Sequence, residues 1–200
     1  MYILIGSMKY LKSLKYLIFV VLISSCFVDK PTQNEKQIEI SDEQEEMIQK
    51  GWSFKTPKGG ELGYQYGTNP KYGIQDNYFD IRIGGGFSVA LKIVDVASDK
   101  CIRYVYVPEN QTVTINQIPQ GRYYLKLAYG KDWMECLDGN IIQCKFTRSP
   151  FYEKSTTYFD FGRKNSQSFV NYTLEINVLD GDVDNNFETI NISEEEFNLN

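Results

Sequence analysis

Tyr78-Phe-Asp-Ile-Arg-Ile83 puts Phe79, Ile81 and Ile83 on one face and Asp80 and Arg82 on the other. A period of two marks a strand with one face on a core and one in water. Gly84-Gly85-Gly86 ends the run, and the same period returns down the chain. Val89, Leu91 and Ile93 define a second strand. Ile102, Tyr104 and Tyr106 alternate with Arg103, Val105 and Val107 in a third, and Val113 and Ile115 mark a fourth. Tyr123, Leu125, Leu127 and Tyr129 give a fifth, Thr157, Phe159 and Phe161 a sixth, Tyr172, Leu174, Ile176 and Val178 a seventh, and Phe187 to Ile192 an eighth. Short alternating strands divided by turn residues predict a mainly β fold, an antiparallel sandwich of about seven or eight strands. Helical patterns do not alternate with them, which disfavours a parallel α/β sheet.

Composition agrees. The chain has 200 residues, 42% hydrophobic and 14% aromatic, with 15 Tyr and 12 Phe. That is enough apolar mass for one core, and flat rings pack well on a pleated surface. There is no histidine. Ser-His-Asp and Cys-His nucleophile systems, His-ligated zinc and histidine pH switches are therefore excluded.

The strands predict a sandwich over residues 78–200. Ahead of it, residues 41–77 read as a short helix and an irregular segment rich in Gly and Tyr. Ser41-Asp-Glu-Gln44 fits a capping box, and Gly51 stands where a helix stop belongs. Residues 26–40 are polar and read as a flexible tether. Near the other end, Ser193-Glu-Glu-Glu196 is a second capping-box match, predicting one helical turn that docks Phe197 on the domain.

Residues 1–25 have the three-part layout of an export signal. Met8 to Tyr16 carries Lys9, Lys12 and Lys15. Leu17-Ile-Phe-Val-Val-Leu-Ile23 is apolar, and Ser24-Ser25-Cys26 closes it with small residues and a thiol. Met8 fits a start better than Met1. The apolar run is shorter than the roughly 20 residues a permanent membrane helix needs. Ile23-Ser24-Ser25-Cys26 resembles the lipobox of bacterial lipoproteins. That resemblance implies cleavage before Cys26, acyl chains such as palmitate on Cys26, and a membrane partnership through the anchor. Phe27, where an Asp would imply inner-membrane retention, implies the outer membrane of the cell envelope. Removing the leader leaves 18 Lys and Arg against 26 Asp and Glu, a net charge of −8. That sign disfavours nucleic acid as a partner.

Within the domain, Ile118-Pro119-Gln-Gly121-Arg-Tyr123-Tyr-Leu125 is a turn feeding a strand. With Thr112 to Ile115 it resembles the Pro-x-Gly-x-Tyr edge of prealbumin-like envelope modules, including PEGA-type domains. The resemblance covers about Val89 to Tyr129 and implies a non-catalytic spacer or binding role. Related stalk modules form a Lys–Asn crosslink, for which Lys92 and Asn177 would be the candidates, though no spacing brings them together.

The candidate ligand-binding residues are Tyr129 and Trp133. Aromatics at a strand end can stack on a saccharide or hold a peptide, and the alternative is that both cap the core. Outside the cytoplasm a disulfide between Cys136 and Cys144 is the favoured pairing, but a hairpin turning on Asp138-Gly139 opposes it. Asp180, Asp182 and Asp184 read either as a solvated turn or as a loose calcium site; the spacing fails the EF-hand pattern at Asn185 and Asn191. Glu61, Asp132, Glu135 and Asp160 could be nominated for carboxylate hydrolysis, without a spacing that selects among them. No pattern implies a cofactor or a catalytic set. The expectation is a non-enzymatic, lipid-anchored envelope protein with a structural or binding role.

Overall fold

The computed structural model describes residues 39–165, 168–179 and 182–199. The elements run α1 (Asp42–Gln49), β1 (Ser53–Phe54), β2 (Gly60–Glu61), a 3-10 turn (Tyr64–Tyr66), β3 (Tyr78–Ile83), β4 (Ser88–Asp95), β5 (Lys100–Val107) and β6 (Thr112–Asn116). They continue with β7 (Arg122–Asp138), β8 (Ile141–Ser155), β9 (Phe159–Asp160), β10 (Tyr172–Leu179), β11 (Asp182–Asn185), β12 (Thr189–Asn191) and α2 (Glu194–Asn198). The mainly β, two-sheet expectation holds, with twelve strands among the described residues. The extra strands are mostly two to four residues long, and two of them, β1 and β2, come from the segment expected to be irregular.

The large sheet runs β12-β8-β7-β4-β5-β2, with β1 and β9 also paired to β7; the small sheet runs β11-β10-β3-β6. One pairing departs from the antiparallel expectation: β10 lies parallel to β3, Leu174 against Ile81. The chain visits the large sheet between these strands, so no tight hairpin imposes opposite directions on them.

The two sheets enclose the main core. Phe79, Ile81 and Ile83 meet Leu91, Ile93, Val105, Leu125 and Leu127 across it, with Leu174, Ile176 and Val178 beside them. The central strands of the large sheet, β4, β5 and the first half of β7, are buried on both faces. A second cluster, of Leu62, Ala90, Tyr104, Tyr106, Ala128, Trp133, Phe146 and Phe197, covers the outer face.

The β7–β8 hairpin makes that second layer. Its strands have 17 and 15 residues, and their register shifts between Tyr129 and Lys131. At the shift, Asp132 and Ser149 adopt left-handed φ of 55° and 52°. Beyond it the hairpin folds over its own sheet, so that Trp133 reaches Tyr106 of β5 at 5.1 Å between ring centroids. Gly130 permits the bend: a Cβ there would stand 2.4 Å from the Cβ of Phe146.

α1 forms as its ends predict. Ser41 accepts from the Gln44 amide and Gln44 Oε1 accepts from the Ser41 amide. Gly51, at φ +92°, closes the helix as its amide donates to Ile48 and that of Trp52 to Met47, the two bonds of a Schellman stop. Gln44 is buried and donates to Asp132 Oδ2 at 3.3 Å and Thr147 Oγ1 at 2.9 Å, which pins the helix to the hairpin bend.

Candidate functional site

Tyr129 and Trp133 do not form one aromatic platform. Tyr129 is fully buried in the main core, stacked on Phe151 at 4.4 Å, and donates from its hydroxyl to Glu153 at 2.8 Å. Trp133 is 3% exposed in the outer cluster, with its indole N–H on Glu135 at 2.9 Å. The register shift between them sends the two rings to opposite faces of the sheet. They cap two cores rather than line a groove.

The Cys136–Cys144 bridge is not formed. Asp138 pairs with Ile141 across a two-residue turn of Gly139 and Asn140, so Cys136 faces Gln143 and Cys144 faces Glu135. The thiols point to opposite sides of the hairpin, and Cys101, Cys136 and Cys144 are all free. Burial raises the Cys101 thiol and pushes that of Cys144 up to about 11.

The nominated carboxylates are held in separate places. Glu61 pairs with the buried Arg103 at 3.3 Å and accepts from Tyr72 at 3.1 Å. Asp132 pairs with Arg148 at 2.9 Å. Glu135 accepts from both Tyr66 and Trp133 at 2.9 Å. Asp160 lies exposed on β9. Lys92 and Asn177 project from different sheets: Lys92 from the outer face of the large one, Asn177 from the exposed face of the small one. Of the calcium candidate, Asp180 and Gly181 lie outside the described residues, and Asp182 and Asp184 belong to β11. Among the described residues no group of three or more acidic, Cys or His side chains is placed to hold a metal.

What the fold does assemble is a row of lysines. Lys92 stands opposite Lys126 in the β4–β7 ladder, and Lys126 opposite Lys154 in the β7–β8 ladder. Three like charges on neighbouring strands repel one another. Lys92 and Lys126 are both 5% exposed, which adds the cost of removing an ammonium from water. Burial drives the Lys92 ammonium down to about 8 and lowers that of Lys126.

The short helix α2 lies across this row and answers its charge. Lys126 Nζ donates to the carbonyl oxygens of Glu196 and Leu199, each at 2.7 Å, and Lys92 Nζ to that of Phe197 at 3.1 Å. The carbonyl end of a helix is its negative pole. Lys154 pairs with Glu196 at 3.6 Å and Lys145 with Glu194 at 3.5 Å. Phe197 is the buried residue of α2 and sits between Tyr104 at 6.3 Å and Tyr152 at 5.5 Å. Only about 10 Å³ of free space remains beneath it. The expected docking of Phe197 by one capped turn is thus observed, with Ser193 accepting from the Glu196 amide at 3.1 Å.

Past Asn198 the groove opens into a cleft of about 270 Å³ lined by Tyr66, Lys92, Tyr104, Ile142, Gln143 and Cys144. Sequence reasoning did not single out this site. Its signal was Lys92 within Val89-Ala-Leu-Lys-Ile-Val94 and Lys126 within Tyr123-Tyr-Leu-Lys-Leu-Ala128, each a lone cation inside an apolar strand.

Fold and site together define a two-sheet β-sandwich with a covered, lysine-lined outer face. Comparison with protein-family models, curated proteins and solved structures finds no match to this chain.

Proposed function

We propose that this chain is a lipid-anchored protein of the bacterial envelope, held in the outer membrane through acyl groups on Cys26, whose sandwich works as a binding or structural module rather than an enzyme. The observation that carries the reading is the junction Leu22-Ile-Ser-Ser-Cys26, where a cationic and apolar leader meets a polar stretch. The first described element is the helix capped by Ser41, and the polar residues 27–40 separate it in the chain from Cys26. Two or three acyl chains, at about 0.8 kcal/mol per buried CH2, hold such a protein firmly.

Of the binding roles, a polypeptide partner fits better than a saccharide. The aromatic pair suited to sugar stacking is buried, whereas the outer face holds a peptide segment by backbone carbonyls and one ring. The anchor is tested by growing cells with a clickable fatty acid and comparing the full chain with its Cys26→Ala variant. Label on the first and none on the second is expected. Equal label, or a leader still attached to the purified protein, would refute the anchor.

A further inference from the structure

Four lysines and an aromatic seat converge on one short segment. α2 has five residues. A helix of that length has no stability of its own in water. The segment stays folded through what it touches on the sheet: the seat of Phe197 and the ammonium groups of Lys92, Lys126, Lys145 and Lys154. Short elements with few buried side chains open at the low end of the local stability range. When α2 lifts, the ladder still keeps Lys92, Lys126 and Lys154 side by side, and the ring seat is left empty. The exposed face then presents a cationic stripe beside an apolar pocket.

We propose that this outer face is a docking groove for an acidic peptide turn of a partner protein, anchored by one aromatic side chain, with Ser193–Leu199 as the resident that the partner displaces. Three observations fix the chemistry. Lys92 and Lys126 donate to peptide carbonyl oxygens at the end of a helical turn, a feature that a free phosphate or a lipid headgroup lacks. Lys145 pairs with Glu194, three residues before the ring, and Lys154 with Glu196, the residue before it, so acidic residues must precede the anchor. The seat takes a phenyl ring between Tyr104 and Tyr152. The cleft beyond Asn198 supplies the partner's advantage. Of Ser193–Leu199 only Asn198 lines it, so a partner peptide that continues past Gln143 and Tyr66 gains contacts that this segment does not make. An intramolecular segment has a high effective concentration, and contacts of that kind are what an incoming peptide needs to displace it. The inference deepens the binding reading above, but it rests on the outer-face geometry and not on the lipid anchor.

The test uses the full chain in detergent and a fluorescent peptide of sequence Asn-Ile-Ser-Glu-Glu-Glu-Phe-Asn-Leu, that of residues 191–199. Glu194→Lys combined with Glu196→Lys reverses both resident ion pairs without touching the core. Fluorescence anisotropy should show this variant binding the peptide at least about tenfold more tightly than the unaltered chain. Adding Lys126→Ala to it, or replacing the peptide's Phe by Ala, should abolish the gain. Equal affinity of the two chains, both folded by near-ultraviolet circular dichroism, would overturn the proposal. So would binding of anionic lipid vesicles or inorganic phosphate that matches the peptide, or a chain that is dimeric through exchange of this segment. If the double variant does not fold, hydrogen exchange on the unaltered chain decides. The same peptide at millimolar concentration, lengthened at its Leu end to reach Gln143 and Tyr66, should strip protection from the Phe197 and Leu199 amides, and unchanged protection sinks the idea. Loss of acylation in Cys26→Ala leaves every one of these outcomes in place, so the two readings fail separately.

Discussion

Lys92 and Phe197, 105 residues apart in the chain, meet twice: the ammonium donates to the Phe197 carbonyl at 3.1 Å and lies 4.9 Å from the centroid of its ring. The contact compensates a buried charge without removing its cost. Burial, with a smaller push from Lys126, lowers Lys92 from 10.5 to about 8, while Cys101 and Cys144 oppose the shift.

Stability should therefore depend on pH in an unusual direction. Between about 8 and 10.5 the unfolded chain keeps a proton that folded Lys92 has lost, so this group's contribution rises with pH and its penalty is largest below 8. At 1.36 kcal/mol per unit the full span is roughly 3 kcal/mol. Cys101 and Cys144 act oppositely. Their folded thiols are raised, so the unfolded thiols ionise first and stability falls from about 9 upward. Buried Tyr104 and Tyr129 add to that fall above 10. Urea melts should show a maximum between about pH 8 and 9. Subtracting the Lys92→Met variant from the unaltered protein isolates the lysine. The difference should shift toward the unaltered protein as pH climbs from about 7.5 to 10.5, and a flat difference would mean that Lys92 is not a buried cation.

The three thiols of the domain should separate by reactivity. Cys136 sits near the helix stop, with its sulfur 3.8 Å from where a Gly51 Cβ would be, while Cys101 and Cys144 belong to the outer cluster and are raised by burial. The thiolate is the reacting form. Alkylation of the folded protein at about pH 8 should mark Cys136 first and the other two only after unfolding, read by peptide mass. A Cys136–Cys144 disulfide in those maps would require a different hairpin register.

The strands that alternate cleanly were legible in the chain, because one wet and one dry face leaves a period of two. Tyr78–Ile83 and Tyr172–Leu179 are such strands. β8 was not. It is mostly half-exposed, and Pro150 argues against a strand. The structure reconciles this. Phe151 pairs with Tyr129 and Arg148 with Lys131, so Ser149 and Pro150 fall in the bulge where no ladder hydrogen bond is asked of the proline. The site was hidden for a related reason. Lys92 and Lys126 lie on strands whose outer face should meet water, and only the return of the hairpin and α2 makes that face an interior. Long-range layering of that kind leaves no local period. Phe197 was legible because its cap is local.

The Pro119-x-Gly121-x-Tyr123 corner has a physical basis that predicts coupling. Tyr123 folds back and donates to the Pro119 carbonyl at 3.0 Å, and a Cβ on Gly121 would stand 2.9 Å from that hydroxyl. Tyr123→Phe should cost about 1 kcal/mol, the net worth of one hydrogen bond. Gly121→Ala should cost about 1–3 kcal/mol by crowding the ring. The two should not add, since removing the hydroxyl relieves part of the clash. Urea melts of both single variants and the double variant test this. Strict additivity would show that the hydroxyl and the glycine do not share the corner.

Gly130 carries the bend that makes the outer layer, and it is the position where a single methyl should do most damage. A Cβ there meets Phe146 Cβ at 2.4 Å and the Arg148 carbonyl at 3.3 Å. Neither is the free end of a flexible side chain, so the two strands must part. Overpacking costs about 1–3 kcal/mol in ordinary cores. Here the displaced strands also carry Trp133 and Phe146 away from Tyr106, so Gly130→Ala should reach or exceed the top of that range. The main core between the sheets, built from Phe79, Leu91, Leu125 and Leu174, does not pass through the bend and should persist. The expected signature is a lower urea midpoint together with red-shifted tryptophan fluorescence in the folded state, as Trp133 gains water. A Trp133→Phe control assigns the shift, because Trp52 is the other tryptophan. A Gly130→Ala protein with unaltered midpoint and emission would show that the hairpin does not need this close approach to fold over its sheet.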